Sequence, residues 1–182
     1  MHARLWAETR AHHLDLESRF SALDMESPSG YRTFLAAHAL ALACADGWLR
    51  ALQSPFGEVI GGLCRDVEAD LASLDAARRA RSRSVRHLDL ATPARDSGIL
   101  YVIGGSSLGA GVLLKRLRGS DRTGAGSATR YLASERLRLL WASVRPNLAA
   151  LPEFGPPADQ TIRSAQQTFE CFGAALQTVE QD

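Results

Sequence analysis

Surplus charge is the first thing this sequence lacks: 21 Lys and Arg side chains stand against 20 Asp and Glu in 182 residues, a net charge of +1. Nucleic acid is therefore not an expected partner, because its binding usually shows as a clustered basic excess. Cysteine is scarce too. Cys44, Cys64 and Cys171 are odd in number and far apart along the chain, which offers neither a disulfide framework nor a cysteine-rich zinc site and suggests a reducing, cytoplasmic setting. The opening MHARLWAETRAHH carries Arg4, Glu8 and Arg10 and lacks the apolar core of a secretory signal. The longest uncharged stretch, Ser97 to Leu114, is 18 residues long, against the roughly 17 to 25 that a membrane span needs. Gly98, Gly104, Gly105, Gly109, Gly111, Ser106 and Ser107 dilute it, so a buried, pliable helix is expected there and no membrane association.

Period-two alternation and repeats are also missing, which disfavours a sheet domain or a solenoid. What is present is helical period. Leu5, Trp6, Thr9, His13, Leu16 and Phe20 fall along one face of a first helix. Ser27-Pro28-Ser29 supplies a cap and a first-turn proline for a second, ending near Leu52, with Tyr31, Phe34, Leu35, His38, Leu42, Ala45 and Leu49 inward. Ser54-Pro55 repeats the signal for a third, running to about Leu74. The arginine-rich AARRARSRSVR (76–86) reads as a solvated helix end or loop. A fourth helix is expected from about Pro93 to Leu117, interrupted by its glycines, and RGSDRTGAGS (118–127) reads as a connecting loop. Helices from about Ala128 to Val144 and from Ala158 to Val179 complete the chain, with the four prolines of RPNLAALPEFGPP expected to break the helix between them. The prediction is all-α: one domain over residues 1–182, built from about six helices.

Gly105-x-Ser107-x-Gly109 formally matches the serine elbow of an α/β-hydrolase. All five histidines precede Ser107, whereas that fold places its histidine after the serine, and strand–helix alternation is missing. Hydrolysis is set aside, as is dinucleotide binding, since no G-x-G-x-x-G is present. Read as helix, the glycines cost on the order of 1 kcal/mol each in propensity. Close packing of a neighbouring helix would offset that cost, and so would a flat ligand lying directly on the backbone.

In the first helix His13 shares the face of Trp6, Leu16 and Phe20, and Glu17 follows at i+4, within reach of the imidazole. A histidine held by a carboxylate on Nδ1 presents Nε2 as a fixed and more basic ligand. His12, one position round the helix, is the competing candidate, expected to be the more exposed. Neither the Glu-x-x-His pairs of a di-iron bundle nor zinc spacings occur. One histidine beside an apolar, glycine-floored pocket is what a haem needs, because the porphyrin supplies four equatorial nitrogens.

In this order, Thr9-Arg10-x-x-His13-x-x-Leu16-Glu17, then Gly30-Tyr31-Arg32-Thr33-Phe34-Leu35-x-x-His38, then Tyr101-Val102-x-x-Gly105-Ser106-x-Leu108-Gly109-Ala110, the sequence resembles the bacterial haem oxygenases, especially the bacteriophytochrome-associated type. Ala165, Phe169 and Phe172 look like that family's last apolar helix, so the likeness covers nearly the whole chain. The resemblance implies a multihelical fold with haem between a proximal and a kinked distal helix. It makes His13 the iron ligand with Glu17 behind it. Gly105 and Gly109, with Ser106 beside them, become the distal catalytic segment, and Tyr101 lies near a haem propionate. Gly104 stands where relatives often carry Glu, and Trp6 where some have a propionate-binding Lys, which leaves Arg10, Arg4 or a later arginine to neutralise the propionates. Phe169 is counted with the haem-contacting residues. The implied reaction is cleavage of haem, both substrate and cofactor, to biliverdin, carbon monoxide and Fe2+. It uses O2 and an external electron donor such as ferredoxin or its reductase, with a bacteriophytochrome as a candidate recipient of the bilin. The alternative is a carrier of the same fold that holds haem or biliverdin without turnover.

Overall fold

A computed structural model describes residues 1–78, 88, 90–119 and 128–181. Most of the arginine-rich segment and of the Gly/Ser-rich loop lie outside the described residues. Within them the chain is all-helical: α1 (His2–Ser21), α2 (Pro28–Ala51), α3 (Gly57–Arg78), α4 (Asp96–Gly105), α5 (Ser107–Arg118), α6 (Glu135–Ala150) and α7 (Pro156–Glu180). The anticipated fourth helix is α4 plus α5, broken at Ser106. Asp96–Arg118 is long and apolar enough to cross a membrane by length and composition. Its α4 half is buried in the bundle from Gly98 to Gly104.

Local chemistry accounts for the best-defined starts. The Ser27 hydroxyl accepts the Gly30 N–H at 3.0 Å, with Pro28 opening α2, the cap expected of Ser-Pro. Gly155, at φ 93, makes the left-handed turn that lets Pro156 begin α7, a conformation that costs a side chain but not glycine. α7 is the central helix, packed by α1, α2 and α4, while α2 also packs on α3, and α4 on α6. The core runs through Leu35, Leu42 and Leu49 of α2, Ile60, Leu63 and Val67 of α3, Ile99 and Ile103 of α4 and Ala165 and Leu176 of α7.

Two boundaries differ from the sequence reading. Residues 128–134 form turns rather than the first part of a helix, because α3 captures their polar groups. The Asp70 carboxylate accepts the N–H groups of Arg130 (3.0 Å) and Tyr131 (2.9 Å), and the Ser134 hydroxyl donates to Asp66 at 2.8 Å. The helix then continues through Pro146 to Ala150. Pro146 and the carbonyl it cannot serve, that of Ala142, both lie on the exposed side, where water takes the place of the lost bond. Leu140, Val144 and Leu148 stay buried on either side of the proline.

The glycines of α4 divide by what surrounds them. A Cβ on Gly98 would strike the Thr161 carbonyl and the Ala165 nitrogen of α7, and one on Gly104 would press Trp141 at 3.3 Å. These two glycines serve close helix packing. Gly98→Ala is accordingly expected to destabilise the fold by about 1–3 kcal/mol or more, read as a lower denaturation midpoint in urea.

Candidate functional site

Only Leu5 and Thr9 of α1 are buried. Trp6 is 54% exposed and the His13 side chain 61%, so the apolar face anticipated for this helix is covered along one edge and bare along the other. The bare edge has a direction. His2, Thr9, His13 and Phe20 lie at helical spacing on one side; His2 sits edge-on to Tyr101 of α4 at 6.1 Å, and Phe20 lies 5.1 Å from His38 of α2. His13 lies on that same side of α1.

The His13 ring is held loosely by two neighbours. Its Nδ1 is 3.6 Å from Glu17 Oε2, within electrostatic reach but beyond a hydrogen bond. The buried Phe169 of α7 meets the ring edge-on at 5.9 Å. With Nδ1 turned to Glu17, Nε2 is the nitrogen available to a ligand.

His12 corrects the sequence expectation, being the less exposed of the pair at 32% of its side chain. It points to the other flank of α1. Nε2 lies 3.8 Å from Glu170, and Nδ1 is buried with no hydrogen-bond partner among the described residues. Glu170 also lines a groove of about 360 Å3 with Thr92, Ala94, Arg163, Gln166 and Gln167. The two histidines thus serve different surfaces, because neighbours on a helix are turned about 100° apart.

Gly105, Gly109 and Gly111 contrast with Gly98 and Gly104: a Cβ on any of the three would meet nothing within 4 Å. Around them α5 is thinly packed, with only Ala110 and Leu117 buried, while Leu108 and Val112 are 69% and 72% exposed. Gly109, Val112 and Arg116 share one face of α5 by spacing. Arg116 shows where that face points: its Nε bonds Glu26, in the segment after α1, at 3.0 Å. The face that carries Gly109 thus turns toward the α1–α2 connection.

The Tyr101 phenol is raised above its ordinary range by burial, an effect partly offset by the Thr9 side chain, one turn before His13. Ser106 is exposed and marks the break, its hydroxyl donating to the Ile103 carbonyl at 2.7 Å. Among the arginines raised for the propionates, Arg4 is committed to Asp159 at 2.8 Å and to the Glu153 carbonyl. The Arg10 guanidinium lies over the Trp6 ring at 5.4 Å on the exposed side of α1.

Sequence reasoning missed the role of His38. It is buried in a cage of Phe20, Phe34, Tyr131 and Phe172, and a ring nitrogen bonds the Phe34 carbonyl at 2.8 Å. Burial lowers its pKa to about 4, against the smaller opposing effect of that bond. The signal available was the aromatic spacing of α2, but two of the four cage rings come from distant elements. The unfolded chain takes up this proton near pH 6.5 and the folded one only near pH 4. Stability is therefore full above pH 6.5 and falls as the pH drops through that window, by roughly 3 kcal/mol from this group. Urea titrations at pH 7 and pH 4.5 should show the loss, and His38→Phe should reduce it.

Compared with known families, curated proteins and solved structures, the chain matches none.

Proposed function

We propose that this all-α protein is a haem oxygenase, cleaving haem to biliverdin, carbon monoxide and Fe2+ with O2 and electrons from an external donor. The observation that carries the reading is the pairing of two glycines with nothing near their missing Cβ atoms, Gly105 and Gly109, with an accessible histidine–carboxylate pair on α1, His13 and Glu17. A flat macrocycle fits these residues: it needs one strong axial nitrogen, a floor without side chains and apolar edges. His13 Nε2, the glycine backbone, and Trp6, Leu108, Val112 and Phe169 offer them.

Haem supplies the iron that activates O2, and the chain's own groups do the rest. His13 would bind through Nε2, with Glu17 drawing on Nδ1–H to fix the ring and raise its basicity. The glycines at 105 and 109 let the α4–α5 backbone approach the plane closely, leaving room only for small molecules and water. The exposed Ser106 hydroxyl can order such a water, which is the proton source cleavage requires. Arg10, free of any carboxylate in α1, is the cation placed to hold a propionate at the solvent edge. A small acidic electron carrier such as ferredoxin suits Lys115 and Arg118 in the basic last turn of α5. Delivery of the bilin to a bacteriophytochrome is the proposed use of the product.

The direct test is the visible spectrum of the purified protein with hemin, before and after a reductant is added in air. A Soret band that decays into biliverdin absorption is the expected result. A Soret band that persists would make the protein a carrier, and no band would end the haem reading.

A further inference from the structure

The groove beside Glu170 has no part in the haem reading. One wall is a stripe of α7, Arg163, Gln166, Gln167 and Glu170, at helical spacings of three and four. Thr92 and Ala94, in the segment before α4, form the other, and the two enclose about 360 Å3. Ala94 is the single apolar liner, so the groove has no anchor for a hydrophobic or flat ligand. Its walls are set before any ligand arrives. The Arg95 N–H donates to the Ser164 hydroxyl at 3.0 Å and the Arg95 guanidinium to Gln160 at 3.2 Å. Pro93, between the two liners, is buried. A wall pinned in this way spares a ligand the cost of ordering it.

Opposite charges stand at the two ends of the stripe. Arg163 is exposed and has no hydrogen-bond or ion-pair partner among the described residues. Glu170 meets the His12 ring at 3.8 Å, beyond a hydrogen bond. Seven positions separate the two, roughly 10 Å along the helix axis. Between them lie two carboxamides. Gln166 donates its N–H to the Glu8 carbonyl at 3.1 Å, which leaves its oxygen as an acceptor, and Gln167 has no partner among the described residues. A carboxamide offers one acceptor group and one donor group, the same pair that a peptide unit presents.

We propose that this groove binds a short zwitterionic peptide, about three residues long and with small side chains. Its carboxylate accepts from the Arg163 guanidinium, its ammonium donates to Glu170, and its peptide units pair with Gln167 and the Gln166 oxygen. An extended tripeptide spans roughly 10 Å, the interval between the two charges. A single amino acid is too short to meet both. Arginine suits the first role because its planar fork grips a carboxylate with two hydrogen bonds. With Ala94 as the apolar liner, recognition falls on the backbone and the two ends, so the groove tolerates different small side chains. None of this rests on the haem reading.

The test is a titration of the hemin-free protein with triglycine, followed by the backbone amide signals of Ala94 and Gln167 in NMR. Saturable shifts with a Kd of about 1 mM or tighter are expected, the level that ordinary ligand efficiency gives a molecule of this size. Arg163→Gln and Glu170→Gln change exposed side chains, so both variants should fold, and each should weaken binding about fivefold. The ends of the ligand assign the contacts. N-acetyl-triglycine should bind the wild type about fivefold more weakly than triglycine does, yet bind Glu170→Gln as triglycine does. Triglycine amide should show the same pattern with Arg163→Gln. No saturable shift up to about 20 mM, equal binding of the free and blocked peptides by the wild type, or glycine binding as tightly as triglycine would overturn the proposal.

Discussion

His13→Ala is expected to lose coordinated hemin and all biliverdin formation while remaining folded. The side chain is exposed and supports no core contact beyond the edge of Phe169, so circular dichroism and the melting temperature should barely change. Hemin affinity should fall by more than about 100-fold, since removing even an outer-shell partner of a metal-bound histidine typically costs 10–100-fold. Glu17→Gln should lie within that smaller range, because a neutral amide still orients the ring but adds less basicity. Imidazole added to His13→Ala should restore a Soret band by filling the vacated ligand position. His12→Ala is the control, since it faces Glu170 on the opposite flank and should bind hemin as the wild type does. If His12→Ala lost the band and His13→Ala kept it, the assignment of the two flanks would be wrong.

Local signals made the helices legible. The Ser27 cap and the apolar period of α2 are short-range features, and the structure realises both. The start of α6 was hidden because it depends on residues far away in sequence. Nothing in Ala128–Ser134 announces that Asp66 and Asp70, some sixty positions earlier, take its backbone and hydroxyl groups. Pro146 misled for a related reason: a proline's effect depends on whether the carbonyl it abandons faces water, and that follows from packing. The candidate site was half legible. The i+4 spacing of His13 and Glu17 is arithmetic on a helix, and so is the glycine stripe. Which glycines serve packing and which face open space required the positions of α7 and Trp141. The same holds for the histidines, whose order of exposure depends on how α1 rests on α7.

The glycine division yields a prediction in which stability and binding move in opposite directions. Gly109 sits inside α5 with no atom near its missing Cβ, so Gly109→Leu should gain helix propensity of about 0.5–1 kcal/mol without a clash. In a chain of this size that should appear as a rise in melting temperature of roughly 1–4 °C. The same side chain would occupy the space over the glycine face, and hemin binding and turnover should fall by about 100-fold or more. Gly98→Ala should behave in the reverse sense, lowering stability by its collision with α7 while leaving the open face untouched. A fold gains nothing from an unpacked glycine in mid-helix, so one retained at a cost to stability points to use of the bare backbone itself. If Gly109→Leu bound and degraded hemin normally, the α5 glycines would not be the floor of the site, and the ligand would have to lie elsewhere along α1.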